Sequence, residues 1–373
     1  MSGRSAPFAV LARDGRARRA VLWTAHGEVQ TPAFMPVGTH AGVRACDPDE
    51  VAATGAQMLL ANFYHLALRP GVELIAELGG LHRFMAWGGS ILTDSGGYQL
   101  VSLDQLVELD DRAVTFRSPY SGDTVRVTPE GVVRGQLALG SDVIMVLDNP
   151  VPYGTPEPQQ QEATRRTHLW AEHCRQVDTG AALLFGIVQG GFAVGPRARS
   201  AELVARLGFD GVALGGLVLG EPPGVRQPAI DACVEELPDH LPRYIMGLGT
   251  DLDLLDAVGR GVDLFDCVLP TRLARTGTAL TSSGRLSLRQ ARFRRDGRPL
   301  EGDCDCAACS RFSRAYLRHL YLAGEILAHR LVSLHNLRHL GRLMAEVRRA
   351  IEAGRLPNLV EERTLRLTQG LRD

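Results

Sequence analysis

The chain has 373 residues, 45% of them hydrophobic and 22% charged, with 41 basic residues against 42 acidic ones and a formal net charge of −1. No lysine occurs, so all 41 basic residues are arginine. That excludes lysine Schiff-base enzymes, the pyridoxal-phosphate class, a Walker A phosphate loop and the kinase β3 lysine.

The length suits one large domain or two ordinary ones. Met1 to Arg19 is polar and arginine-bearing with no apolar run, so a signal peptide is not expected. No apolar stretch approaches the ~20 residues of a membrane span. Seven cysteines, mostly scattered through apolar segments, point to a reducing cytoplasm.

In chain order, short apolar runs at Ala33–Val37, Met58–Ala61, Ser90–Thr93, Val143–Leu147, Leu183–Val188, Gly211–Leu214, Tyr244–Met246 and Val262–Phe265 predict strands. Helical periodicity fills the gaps, as at Glu162–Gln176, Arg197–Leu207 and Leu252–Gly259. Continuous apolar strands alternating with helices predict an α/β fold with a parallel sheet buried on both faces. Eight such strands suit a (β/α)8 TIM barrel, with its site at the carboxyl ends of the strands. A doubly wound open sheet is the alternative, and no GxGxxG follows the first strand to support it. After the third strand, Ala113–Arg117 and Thr124–Val127 flank a Tyr120-Ser121-Gly122-Asp123 turn and predict an inserted β-hairpin.

The residues that follow the strands are Asn62, Asp94, Asp148, Gln189, Gly215-Gly216, Gly247 and Asp266. Each alone reads equally well as a loop or helix-cap residue. At equivalent barrel positions they would converge on one cavity.

Two further features lie towards the carboxyl end. Cys304, Cys306 and Cys309 fall within six residues, and His335 follows after 25 more. Three thiolates and one imidazole make a closed tetrahedral set, the pattern of one structural Zn2+ per chain. His319 and His329 compete with His335 for the fourth position. Arg272, Arg275, Arg285, Arg289, Arg292, Arg294, Arg295 and Arg298 stand against Asp296 alone, +7 in a chain of net −1. Such a run is either a solvated face or the footprint of a phosphate backbone.

The ordered set Thr93–Gln99 (TDSGGYQ), Phe185–Gly191 (FGIVQGG), Gly215-Gly216-Leu217 with Gly220-Glu221, Met246–Gly249 (MGLG), Asp263–Arg272 (DLFDCVLPTR) and the cysteine–histidine group resembles the bacterial tRNA-guanine transglycosylases. The resemblance implies a TIM barrel over 1–284, a zinc-binding subdomain over 285–343 and a C-terminal helical segment over 344–373. It implies exchange of the wobble guanine of the tRNA anticodon stem-loop for a 7-deazaguanine, in queuosine biosynthesis, with no ATP or redox cofactor. Asp266 would be the nucleophile at C1′ and Asp94 the general acid/base, in a double displacement like that of retaining glycosidases. Tyr98 and Met246 would sandwich the flipped base, with Asp148, Gln189, Gly216 and Leu217 reading its edge. Arg272, Arg275, Arg289 and Arg292 would hold tRNA phosphates.

Two positions depart from the family pattern. Asn149-Pro150 follows Asp148 where an acid and a cysteine are usual, and Leu219 replaces a smaller valine. Proline lacks an N–H and fixes φ, so that wall of the pocket differs. The added bulk favours the aminomethyl base preQ1 over queuine, with preQ0 as a further alternative. Phe84, Phe312, Tyr316 and His319 match a homodimer interface in the family. A non-catalytic tRNA-binding subunit is the competing reading, and the presence of both Asp94 and Asp266 speaks against it.

Overall fold

A computed structural model describes residues 6–102 and 106–370 of the chain. Eight parallel strands form its centre: β1 (Ala33–Pro36), β2 (Met58–Asn62), β3 (Ser90–Asp94), β4 (Val143–Met145), β5 (Leu183–Val188), β6 (Gly211–Leu214), β7 (Arg243–Ile245) and β8 (Leu264–Cys267). From β2 to β8 each strand pairs with the next, and β8 pairs with β1. The ring closes between β1 and β2 through a Val37–Leu60 bridge and a Gly38 N–H to Leu60 O hydrogen bond of 2.7 Å. The expected barrel is present, and the open-sheet alternative falls.

Every residue of β4, β5, β6 and β7 is buried, as a parallel sheet enclosed by helices requires. Helices are started by short polar side chains. Thr128 accepts from Gly131 N–H ahead of Pro129–Ala138, and Thr250 accepts from Asp253 N–H ahead of Asp251–Gly259.

The strand bounds shift in an informative way. Asn62 and Asp94 are the last residues of their strands, and Asp266 lies inside β8, whose expected span ended at Phe265. Backbone pairing continues to the rim of a closed barrel, Asp266 opposite Met35 and Cys267 opposite Pro36, beyond the point where side chains stop being apolar.

A three-stranded antiparallel sheet, Phe8–Asp14, Ala17–Thr24 and Gly27–Thr31, covers the floor at the strands' N-terminal ends and was not expected from sequence. One of its inward positions is Arg18, fully buried, so no apolar alternation marks the strand. Arg18 Nε donates to Asp263 Oδ1 at 3.1 Å, just before β8, and its Nη1 and Nη2 donate to the carbonyls of Asp239 and Leu241. The inserted hairpin has a third strand, Leu106–Leu109, beside Val114–Arg117 and Thr124–Val127.

A second hydrophobic core forms around Ala279, Leu288, Phe293, Leu300, Leu317 and Val332 together with the three clustered cysteines. The helix Ile326–Glu352 runs unbroken from this core onto the barrel, where Leu337, Leu340 and Met344 join the main core. The expected limits at 284 and 343 therefore fall within elements, a hairpin and this helix. Among the described residues no helix is long and apolar enough to cross a membrane.

Candidate active site

The C-terminal mouth of the barrel holds a cavity of about 470 Å3, lined among others by Asn62, Asp94, Tyr98, Asp148, Pro150, Gly216, Leu217, Leu219, Met246, Asp266 and Arg272. That volume lies in the range of small-molecule sites. Four strand-end polar side chains, Asn62, Asp94, Asp148 and Asp266, therefore do converge, and both departures from the family pattern, Pro150 and Leu219, face the same space.

Register builds the first acid. Asn62 on β2 is opposite Asp94 on β3. Asn62 Oδ1 accepts from His65 N–H at 3.3 Å, capping the helix Phe63–Leu68, while its Nδ2 donates to Asp94 Oδ2 at 2.8 Å. Burial pushes the Asp94 carboxyl up to about 7, and the negative charges of Asp148 and Asp266 add to that. The N–H groups of Ser95 and Gly96 pull the other way.

Asp266 is held differently. Its Oδ1 accepts from Tyr244 OH at 2.7 Å and from Gly247 N–H at 2.9 Å. Burial raises its pKa, and these two donors to the charged form oppose the rise. Tyr244 reads in the sequence as an apolar strand residue, and nothing there marks it as the partner of an acid.

Asp148 is buried and pushed up to about 6 by that burial. Gln189 Nε2 donates to its Oδ2 at 2.7 Å. Gln189, itself buried, thus stands beside Asp148 and orients it. The second glycine of TDSGGYQ serves the same carboxylate. A Cβ on Gly97 would lie 2.2 Å from Asp148 Oδ1 and 2.5 Å from its backbone oxygen. At Gly216, where φ is +66°, a Cβ would meet Gln189 Oε1 at 2.3 Å, so that glycine makes room for Gln189 as well as baring a backbone amide.

The neighbouring wall is strained. Val218 has φ of +67°, an outlier for a β-branched residue. Glu221 holds it there, accepting from Val218 N–H at 2.7 Å and Leu219 N–H at 2.9 Å. The sequence motif contains Glu221 without revealing that task.

All eight arginines from Arg272 to Arg298 are exposed. Arg272 lines the cavity, and the charges of Arg44 and Arg272 bear on Arg275. Arg44 lies far away in the chain, so a scan for basic runs misses it. Arg289 donates to Tyr321 OH at 2.8 Å, Arg292 sits over the Phe293 ring at 5.0 Å, and Arg298 pairs with Asp296.

Cys304, Cys306, Cys309 and His335 form one buried cluster that could hold a metal ion. His335 Nδ1 lies 3.7, 3.6 and 3.3 Å from the three sulfurs. Ligands at the usual ~2.0–2.3 Å from a tetrahedral ion stand ~3.6 Å apart, so the four donors fit one. His335 Nε2 is 2.7 Å from Leu280 O, which keeps the proton on that nitrogen and turns the Nδ1 lone pair to the sulfurs. His319 and His329 are not part of the group.

Carboxylates of unequal proton affinity, gathered at the mouth of a (β/α)8 barrel, define an acid–base barrel enzyme. The family model described as queuine tRNA-ribosyltransferase matches residues 14–369. Proteins named queuine tRNA-ribosyltransferase from Sorangium cellulosum and Pelotomaculum thermopropionicum are each 50% identical to this chain, over 93% and 91% of it and 89% and 92% of their own lengths. One from Nitrosomonas eutropha is 48% identical over 93% of the chain and 96% of its own length. The chain belongs to the queuine tRNA-ribosyltransferase family, a family of pentosyltransferase enzymes.

Proposed function

We propose that this chain exchanges the wobble guanine of a tRNA anticodon for a 7-deazaguanine, preferring preQ1, by double displacement on Asp266. The supporting observation is the unequal treatment of two acids in one cavity. Asp94, near 7, is half protonated at neutral pH, while Asp266 has two donors that favour its charged form. In the first step an Asp266 oxygen bonds to C1′ of the nucleotide as the C1′–N9 bond breaks, and the Asp94 proton goes to the departing guanine. In the second, Asp94 takes the N9 proton of the incoming base, N9 bonds to C1′, and the Asp266 carboxylate is released.

Asp148 accepts from the N1–H and 2-amino edge of either base, and Tyr98 and Met246 bracket the ring. Gln189 and the Gly216 and Leu217 backbone meet its opposite edge, Gln189 also orienting Asp148. Leu219 and Pro150 narrow the wall, which suits an aminomethyl better than a large 7-substituent. Arg44, Arg272 and Arg275 at the mouth, with Arg289 and Arg292 beyond, bind the phosphates of the stem-loop. The Cys3His group takes Zn2+, whose four protein ligands leave no open position and hold the second core together. Phe84 and Tyr316 are exposed and Phe312 stacks on Tyr316 at 5.2 Å, a surface suited to a homodimer. All seven cysteines are unpaired, as in a reducing cytoplasm.

Incubation with tRNA and labelled guanine should give incorporation into the wobble position, competed best by preQ1 over preQ0 and queuine. Asp266→Asn should abolish both exchange and the denaturation-resistant protein–RNA adduct. An adduct persisting in that variant would place the nucleophile elsewhere. Metal analysis should return about one zinc per chain at the Cys3His site.

A further inference from the structure

A second cluster of metal-ligating side chains lies at the opposite end of the barrel. His26, at the tip of the hairpin between the second and third N-terminal strands, His82 on the helix Gly80–Met85, and Asp142 just before β4 bring their donor atoms within 4.8 Å of one another. His26 Nδ1 is 2.7 Å from Asp142 Oδ1, and His82 Nε2 is 3.1 Å from Oδ2. The carboxylate is buried, and Ile91 N–H anchors it at 2.8 Å. The two imidazoles stack at 3.5 Å with 14° between their planes.

We propose that His26, His82 and Asp142 form a second metal site, taking an exchangeable first-row divalent cation such as Zn2+ or Ni2+ on the barrel floor. Two imidazoles and one carboxylate are donors suited to that class of ion. Three protein ligands leave positions for water, so this ion exchanges far more readily than one enclosed by three thiolates and an imidazole. A neutral imidazole offers one nitrogen lone pair to a metal, and rings stacked at 3.5 Å bring two such donors within reach of one ion. The ion takes the place shared by the two N–H···O contacts. A single ion draws both nitrogens to one point, so the rings open out of their stack. His26 can move in this way: it sits on a hairpin tip, and its side chain is 40% exposed.

Hydrogen bonds from His82, His26 and Ile91 already fix the position of the buried Asp142 carboxylate between the two rings. The bound ion ties the N-terminal sheet to the loop before β4, where the Thr24–Ser90 hydroxyl contact of 2.8 Å already joins sheet to barrel. This end is remote from the cavity, so the site stabilises the floor without entering the exchange reaction.

The test uses the full chain without a histidine tag, its Cys3His site filled with zinc, titrated with Ni2+ alone and dialysed. Wild-type protein should retain one further equivalent of metal per chain at micromolar free Ni2+. His26→Gln and His82→Gln should each lose that equivalent while keeping the zinc. In the wild type, paramagnetic Ni2+ should broaden the His26 and His82 ring resonances before those of any other histidine. Uptake should fall as pH is lowered towards 5, because protons compete for imidazole. No extra equivalent in the wild type, or its retention in both variants, overturns the proposal.

Discussion

Asp94→Asn should make the protein more stable at alkaline pH while removing the proposed acid/base group. Asp94 is pushed from the usual 3.8 up to about 7, first by burial and then by Asp148 and Asp266. A raised carboxyl pKa means that the folded chain holds a proton which the unfolded chain has already released. Between about pH 4 and pH 7 the folded state therefore binds more protons, and stability falls as pH rises through that window. Above about pH 7 the loss is complete. The gap from 3.8 to about 7 is worth at most about 4 kcal/mol. Water in the open cavity screens the charge, so about 1–3 kcal/mol is the expected size.

Asparagine carries no charge to desolvate, and its carbonyl oxygen can still accept from Asn62 Nδ2, now at 2.8 Å. Urea unfolding of both proteins at pH 5, 6, 7 and 8 measures the difference. The advantage of Asp94→Asn should grow by roughly 1–2 kcal/mol from pH 5 to pH 8, with an unchanged m-value. A pH-independent difference, or a variant less stable at pH 8, would refute the claim that burial of Asp94 costs stability.

Three other substitutions probe separate parts of the structure. Gly97→Ala places a Cβ 2.2 Å from Asp148 Oδ1, so guanine incorporation should fall by more than about tenfold in kcat/KM with the circular dichroism spectrum unchanged; near-normal kinetics would show that Asp148 need not stay where it is. Arg18→Met strands the buried Asp263 carboxylate and should cost about 3–5 kcal/mol in urea unfolding, much of it regained in Arg18→Met/Asp263→Asn. Leu219→Val enlarges the cavity wall and should shift the kcat/KM ratio of queuine to preQ1 upward by about threefold or more, measured by competition.

How far the sequence reveals this arrangement depends on what each side chain faces. The barrel was legible because β4, β5 and β6 are enclosed on both sides and must be apolar throughout. Asp94, Asp148 and Asp266 were legible because an acid ending such a run has little apolar reason to be there. The floor sheet was not, because buried Arg18 is satisfied by Asp263, a pairing across 245 residues that no local pattern encodes. Gln189 shows the finer limit. Its place after β5 resembles those of the acids, yet its amide turns to Asp148, into space left by Gly215 and Gly216. Only the packed structure shows which neighbour a strand-end polar atom meets. The same holds for proton affinity: Asp94 and Asp266 are chemically identical and occupy equivalent rims. Both accept hydrogen bonds; what separates them is that two nearby carboxylates add to the effect of burial at Asp94, while at Asp266 the donors Tyr244 and Gly247 oppose burial alone. The difference in proton affinity between two aspartates is thus a property of their neighbours, and Tyr244 is the neighbour that the sequence least discloses.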